Sequence, residues 1–113
     1  MGENKEYLTH PEEVGCIHIS EEVLATIAAG AAVEVEGVSG LMSQAAKKTP
    51  AKGVRLTVDE DGAAIDVYLM VCYGHAIPEV ADKVQSAVAS AVEAMTGFSV
   101  KAVNVHVGGV SLQ

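Results

Sequence analysis

Apolar and polar residues alternate along this chain with two periods, and each change of period marks an element. A period of two predicts strands. In Gly15-Cys-Ile-His-Ile19, Ile17 and Ile19 share one face, Cys16 and His18 the other. Val54, Leu56 and Val58 alternate with Arg55 and Thr57. Ile65, Val67, Leu69, Val71 and Tyr73 oppose Asp66, Tyr68, Met70 and Cys72, and Gly74 ends this longest run. Val103, Val105 and Val107 oppose Ala102, Asn104 and His106, with Gly108-Gly109 read as the strand end. Asp59-Glu-Asp-Gly62 between two of these runs has the composition of a hairpin turn.

Steps of three and four predict two helices. The first runs from about Glu21 to Val33 or Val35, with Ser20 as N-cap and Val23, Leu24, Ile27, Ala28 and Ala31 facing inward. Gly30 weakens it; close approach to the second helix would offset that. The second lies in the stretch Ile77–Gly97, with Pro78 at its first helical position and Gly97 just past its end. Ile77, Ala81, Val84, Val88, Ala91 and Met95 form its stripe, widened by Val80, Ala87 and Val92. Valine is a mediocre helix former, so burial must hold this ridge, about 28 Å long at 1.5 Å per residue. Gly37-Val-Ser-Gly40 breaks the first helix and begins a short extended piece through Met42. Residues 43–53 carry no period and read as a loop.

The expected order is β-α-β-β-β-α-β. Strands and helices with one apolar face each predict an α+β two-layer sandwich: a mixed sheet with both helices on one face. Residues 1–13 read as a flexible leader and residues 14–113 as a single domain.

Composition narrows the function. Half of the 113 residues are hydrophobic, with only Tyr7, Tyr68, Tyr73 and Phe98 aromatic. The core must be aliphatic. A net charge of −8 argues against nucleic acid as partner, because phosphate binding rests on clustered Lys and Arg. No stretch is long or apolar enough to span a bilayer, and no signal peptide opens the chain. Two cysteines without an export signal point to reduced thiols in the cytoplasm.

The sheet face left open by the helices collects Cys16, His18, Asp66, Tyr68, Met70, Cys72, Asn104 and His106. Two Cys and two His match a tetrahedral zinc set in number, but the Cys-x-His spacing is not that of a zinc knuckle, and no metal or other cofactor is expected. The face reads either as solvated or as a protein contact through His18, Tyr68, Met70, Cys72 and His106, since Tyr and Met suit interfaces. Buried without a carboxylate, such histidines would weaken the contact below about pH 6; pairing with Asp66 would reverse that direction. Lys47, Lys48, Lys52 and Arg55 hold four of the seven basic residues. They read as a solvated loop or as a contact for an acidic partner or anionic lipid. Gly37-Val-Ser-Gly40 has the Gly-x-x-Gly spacing of a nucleic-acid clamp, but Glu34 and Glu36 precede it, so a turn is expected. No nucleophile elbow, Walker loop, His-Glu-x-x-His or Cys-x-x-Cys is present, and no enzyme is expected.

An ordered set of short pieces resembles the alkaline shock, or envelope stress response, protein family. It runs through Gly15-Cys-Ile-His-Ile-Ser20, Val35-Glu-Gly-Val38, Gly53-Val54, Ile65-Asp-Val67, Tyr73-Gly74, Ile77-Pro-Glu-Val80, Val84-Gln85, Met95-Thr-Gly97 and Val103-Asn-Val-His-Val107. The wording of Ile77–Val80 and Asn104–Val107 is most similar to the subgroup encoded beside acetyl-CoA carboxylase genes. The resemblance implies a small cytoplasmic non-enzyme linked to envelope stress or fatty-acid synthesis. It implies self-association into a homo-oligomer and a protein partner, either membrane-anchored or in the acetyl-CoA carboxylase system, with recruitment to the membrane periphery. The alternative function is a regulatory domain that binds a small ligand.

Overall fold

The computed structural model describes residues 7–11, 15–42 and 53–112. Their order is β1 (Tyr7–Pro11), β2 (Cys16–Ser20), α1 (Glu21–Val33), β3 (Val38–Leu41), β4 (Val54–Asp59), β5 (Gly62–Cys72), α2 (Ile77–Thr96) and β6 (Val100–Ser111). The α+β class and both helices hold. One strand is additional: β1 lies in the stretch expected to be a leader, antiparallel to β2 with Thr9 opposite His18. Tyr-Leu-Thr-His-Pro has no apolar alternation, so this pairing is invisible to a periodicity argument.

Strand β5 is the centre of a four-stranded mixed sheet. Its residues alternate between buried and half-buried along all 11 positions. One side carries β6, parallel, from Ala63↔Val100 to Cys72↔Ser111. The parallel pairing demands a crossover, which α2 supplies. The other side carries β4 antiparallel along the first half of β5 and β3 antiparallel along the second half. Thus β3 and β4 form a single edge strand, interrupted where the chain leaves at Met42 and returns at Gly53. Tyr68 seals the interruption: its N–H donates to Gly53 O and its carbonyl accepts from Met42 N, both at 2.8 Å. Gly53 has φ 75°, and a Cβ there would lie 2.6 Å from Met42 O, so only glycine lets the chain re-enter beside its own exit.

Both helices cover one face of this sheet. Leu24, Ala28 and Ala32 of α1 and Val80, Val84, Val88 and Val92 of α2 pack with Ile65, Val67, Leu69 and Val71 in one core. Ser20 caps α1 through its Oγ, 3.3 Å from Val23 N. The N–H of Gly97 closes α2 on Glu93 O. The buried stripe of α2 is rotated from the expected one: Ile77 and Met95 are exposed, and Val80 and Val92 take their places. Both stripes contain Val84 and Val88, and packing in the core selects Val80 and Val92 at the two ends. Val23 and Tyr73, expected to face inward, are likewise exposed. Gly30 faces open space rather than α2, so close approach does not explain it. Strand β6 does not stop at Gly108-Gly109; it runs on to Ser111 through a register shift between Leu69 and Met70.

The Asp59–Gly62 hairpin forms as expected, with Asp61 N donating to Asp59 Oδ1 at 2.9 Å. Lys101 on β6 forms an ion pair with Asp59 across the start of β5. That hydrogen bond, joined by the Asp61 N–H, holds the Asp59 carboxyl below its ordinary range.

Two outcomes follow. Val84→Asp places an unpaired charge at the centre of the core and should abolish the cooperative thermal transition in circular dichroism. Lys101→Met should lower stability slightly at neutral pH. A depressed folded-state pKa stabilises above the unfolded value of about 3.9 and ceases to do so as pH falls through the folded value. The difference from wild type, read by urea titration, should therefore vanish in strong acid.

A candidate interaction face on the open side of the sheet

Among the described residues no element packs on the sheet face opposite the helices. The alternation of β5 points Asp66, Tyr68, Met70 and Cys72 to this side. The parallel register sets Asp66 beside Asn104 and Tyr68 beside His106. Antiparallel β4 sets Arg55 beside Asp66 from the other side.

These side chains form a connected group. The rings of Tyr68 and His106 stack with centroids 4.3 Å apart and planes 10° from parallel. Asp66 Oδ1 accepts from Asn104 Nδ2 at 3.1 Å and lies 3.1 Å from His106 Nε2. An ionised carboxylate can only accept, so Nε2 is the donor in this contact. Asp66 is the more sheltered partner, with its side chain 22% exposed against 46% for His106. The carboxylate thus fixes the imidazole, and the imidazole supports the phenol ring. His106 thus has the carboxylate partner, Asp66, whose absence was the condition for weakening below pH 6.

Two methionines border the stack. Met42 lies over Gly108, where any Cβ would collide with its thioether. Met70 lies against Gly109, its Cε 3.3 Å from the position a Cβ would take. The two glycines read as a strand end therefore have another role: they lower the floor of β6 so that two soft, polarisable side chains lie across it. Met42 and the Gly108-Gly109 floor were not among the expected site residues. Only the cross-strand register reveals them.

The remaining expected residues divide. Cys72 is a free, half-buried thiol on the same strand, opposite Ser111. His18 is not on this face. Strand β2 belongs to a separate two-stranded sheet, where His18 Nδ1 lies 3.1 Å from Thr9 Oγ1. The two Cys and two His are consequently split between sheets, and no group of three or more metal-ligating residues occurs among the described residues. Lys47, Lys48 and Lys52 lie outside the described residues; Arg55 of the same basic set is on β4. A concavity of about 550 Å³ lies at the β4–β5 turn, bordered by Glu21, Asp59, Glu60 and Asp61. Its carboxylates would repel anionic metabolites such as acyl-CoA.

A profile of the alkaline shock protein 23 family, described by a cell envelope-related function, matches residues 9–112. The uncharacterized protein YqhY of Bacillus subtilis is 35% identical over 105 residues, 86% of this chain and 78% of its own length. YloU of the same organism is 37% identical over 106 residues, covering 85% and 88%. Spy1535 of Streptococcus pyogenes is 38% identical over 105 residues, covering 88% and 81%. Among solved structures, a MamM CTD variant superposes with a TM-score of 0.52 at 18% identity, over 78% of this chain and 93% of that one. That likeness extends to the fold alone.

Asp66→Ala should leave the fold intact, with stability within about 1 kcal/mol of wild type, since the lost bonds are at the surface. It should release the His106 ring. The imidazole proton resonances, shifted by the Tyr68 ring current in the wild type, should move toward free-histidine values.

Proposed function

Since the chain belongs to the alkaline shock protein 23 family, we propose that it is a non-catalytic interaction module whose open sheet face docks a protein partner. The observation that carries this reading is the Tyr68–His106 stack, held by Asp66 and bordered by Met42 and Met70 on a face that no described element covers. Tyr and Met bury large area at modest entropic cost, and a ring already fixed by a carboxylate loses little freedom on docking. The Asp66 and Asn104 side chains supply a polar edge that sets orientation.

The partner in this reading belongs to envelope homeostasis. The family resemblance directs the search to a membrane-anchored protein or to the acetyl-CoA carboxylase system, with regulation of membrane supply under stress as the role. No helix of the described residues is long and apolar enough to cross a membrane. Contact with the envelope would then run through the partner, with this chain held at the cytoplasmic side.

Tyr68→Glu tests the reading. It puts a charge at the centre of the face without touching the core. Affinity capture from native lysate should recover the partner at least tenfold less, the equivalent of about 1.4 kcal/mol, with an unchanged circular dichroism melt. Equal recovery by wild type and variant would show that the face is merely solvated.

A further inference from the structure

Strand β6 is 12 residues long and lies at the edge of the sheet. Exposed edges are usually blunted by charge, proline or shortness. Here the strand contains no carboxylate and no proline on a chain of net charge −8, and its one lysine is engaged by Asp59. One outward carbonyl is covered: Gln85 Nε2 of α2 donates to Val103 O at 3.0 Å.

The outward groups that remain can be assigned. In a parallel strand both backbone groups of a residue point to the same side, and successive residues alternate. Val103 points to the free edge, so Val105 and Val107 do too. Tyr73 N donates to Ser111 O at 2.7 Å, so Ser111 and Gly109 point back toward β5. The register shift at Gly108 accounts for the change of phase.

We propose that this edge pairs antiparallel with β6 of a second copy, about a two-fold axis through His106. That register sets Val105 opposite Val107 of the second copy and Val107 opposite its Val105. The two pairs each exchange two hydrogen bonds, and the Gln85–Val103 bond stays intact. A register centred on Val105 would need the carbonyl that Gln85 holds. A register centred on Val107 would oppose Val105 to Gly109, whose backbone faces β5.

A second observation agrees independently. Val110 and Leu112, two residues apart at the end of this strand, are 45% and 81% exposed. Val110 pairs with buried Val71, which sets it on the helix side of the sheet, and Leu112 follows two residues later. Beside the other half of the same edge lies a groove of about 490 Å³ between α2 and β6, with Ala89, Val100 and Val103 on its walls between the polar Gln85, Ser86 and Lys101. With the axis through His106, Val110 and Leu112 of each copy come opposite residues 100–103 of the other, on the groove side. Each exposed pair fills the partner's groove, as isologous symmetry requires. The four-stranded sheets join into one, and the open faces become continuous, with two Tyr68–His106 stacks meeting at the axis. The seam needs only β6 and its groove, so it stands or falls apart from partner docking on Tyr68.

The axis position makes the test specific. In a background of Cys16→Ser and Cys72→Ser, His106→Cys should give a disulfide-linked dimer on mild oxidation. Non-hydrogen-bonded residues opposite one another have Cα atoms about 4.5 Å apart, within disulfide reach. Asn104→Cys should not cross-link, because the two copies of residue 104 would be about 14 Å apart. By sedimentation velocity the wild type should be a dimer. Val107→Pro, which removes an N–H directed away from β5, should be a monomer with native circular dichroism. Leu112→Glu should also favour the monomer and does not touch the backbone. A wild-type monomer at 100 µM, or cross-linking through residue 104 in place of 106, would overturn the proposal.

Discussion

The structure depends on the burial of one strand. Every second residue of β5 from Ala63 to Val71 is buried beneath the helices. A slip of one residue would exchange those five positions for Ala64, Asp66, Tyr68, Met70 and Cys72 and put a carboxylate into the core. This fixes the orientation of the whole strand. The valine ridge of α2 packs on it, β6 follows from the crossover, and β3 and β4 share its other side. The open face is the other half of the same constraint. Once the odd positions are committed to the core, the even ones must stand together on the opposite surface.

The interrupted edge strand shows how such a frame carries an insertion. Tyr68 bonds Met42 and Gly53, so the ladder closes over the point where the chain departs. Met42 and Gly53, the two ends of that break, are thereby both held by the backbone of Tyr68. The same residue supplies the backbone that closes the strand and the side chain at the centre of the candidate face. The pairing of β5 with β6 supplies the rest: His106 and Asn104 reach Asp66 only because the two strands run parallel with Asp66 beside Asn104.

Membership of a cell envelope-related family agrees with a domain whose distinctive chemistry lies on its surfaces rather than in a pocket. The face offers a fixed aromatic stack with two soft side chains. The adjoining edge, which no strand of the described residues pairs, offers outward backbone and a shallow groove of mixed polarity. Both belong to a continuous stretch around β6, and both depend on Gly108, which lowers the strand under Met42 and shifts the backbone phase at the edge.

The amino-acid pattern by itself determined which sides of the elements are apolar. The period of two in β5, the Asp59–Gly62 turn, the Ser20 cap and the Gly97 stop are local, and each is legible because a few neighbouring residues decide it. From these the α+β sandwich and the composition of one face of β5 followed. Tertiary structure alone decided who faces whom. Period says that Ile19 and His18 lie on opposite sides of a strand, but not that the strand would leave the main sheet and pair with Tyr7–Pro11. Apolar spacing in α2 admitted two stripes through Val84 and Val88, and contact with the sheet chose one. Gly108-Gly109 has the composition of a strand end, and only parallel pairing with β5, between segments some 40 residues apart, carries the strand through it. Non-local registers leave no periodic trace, because each depends on a second segment whose position the first does not encode.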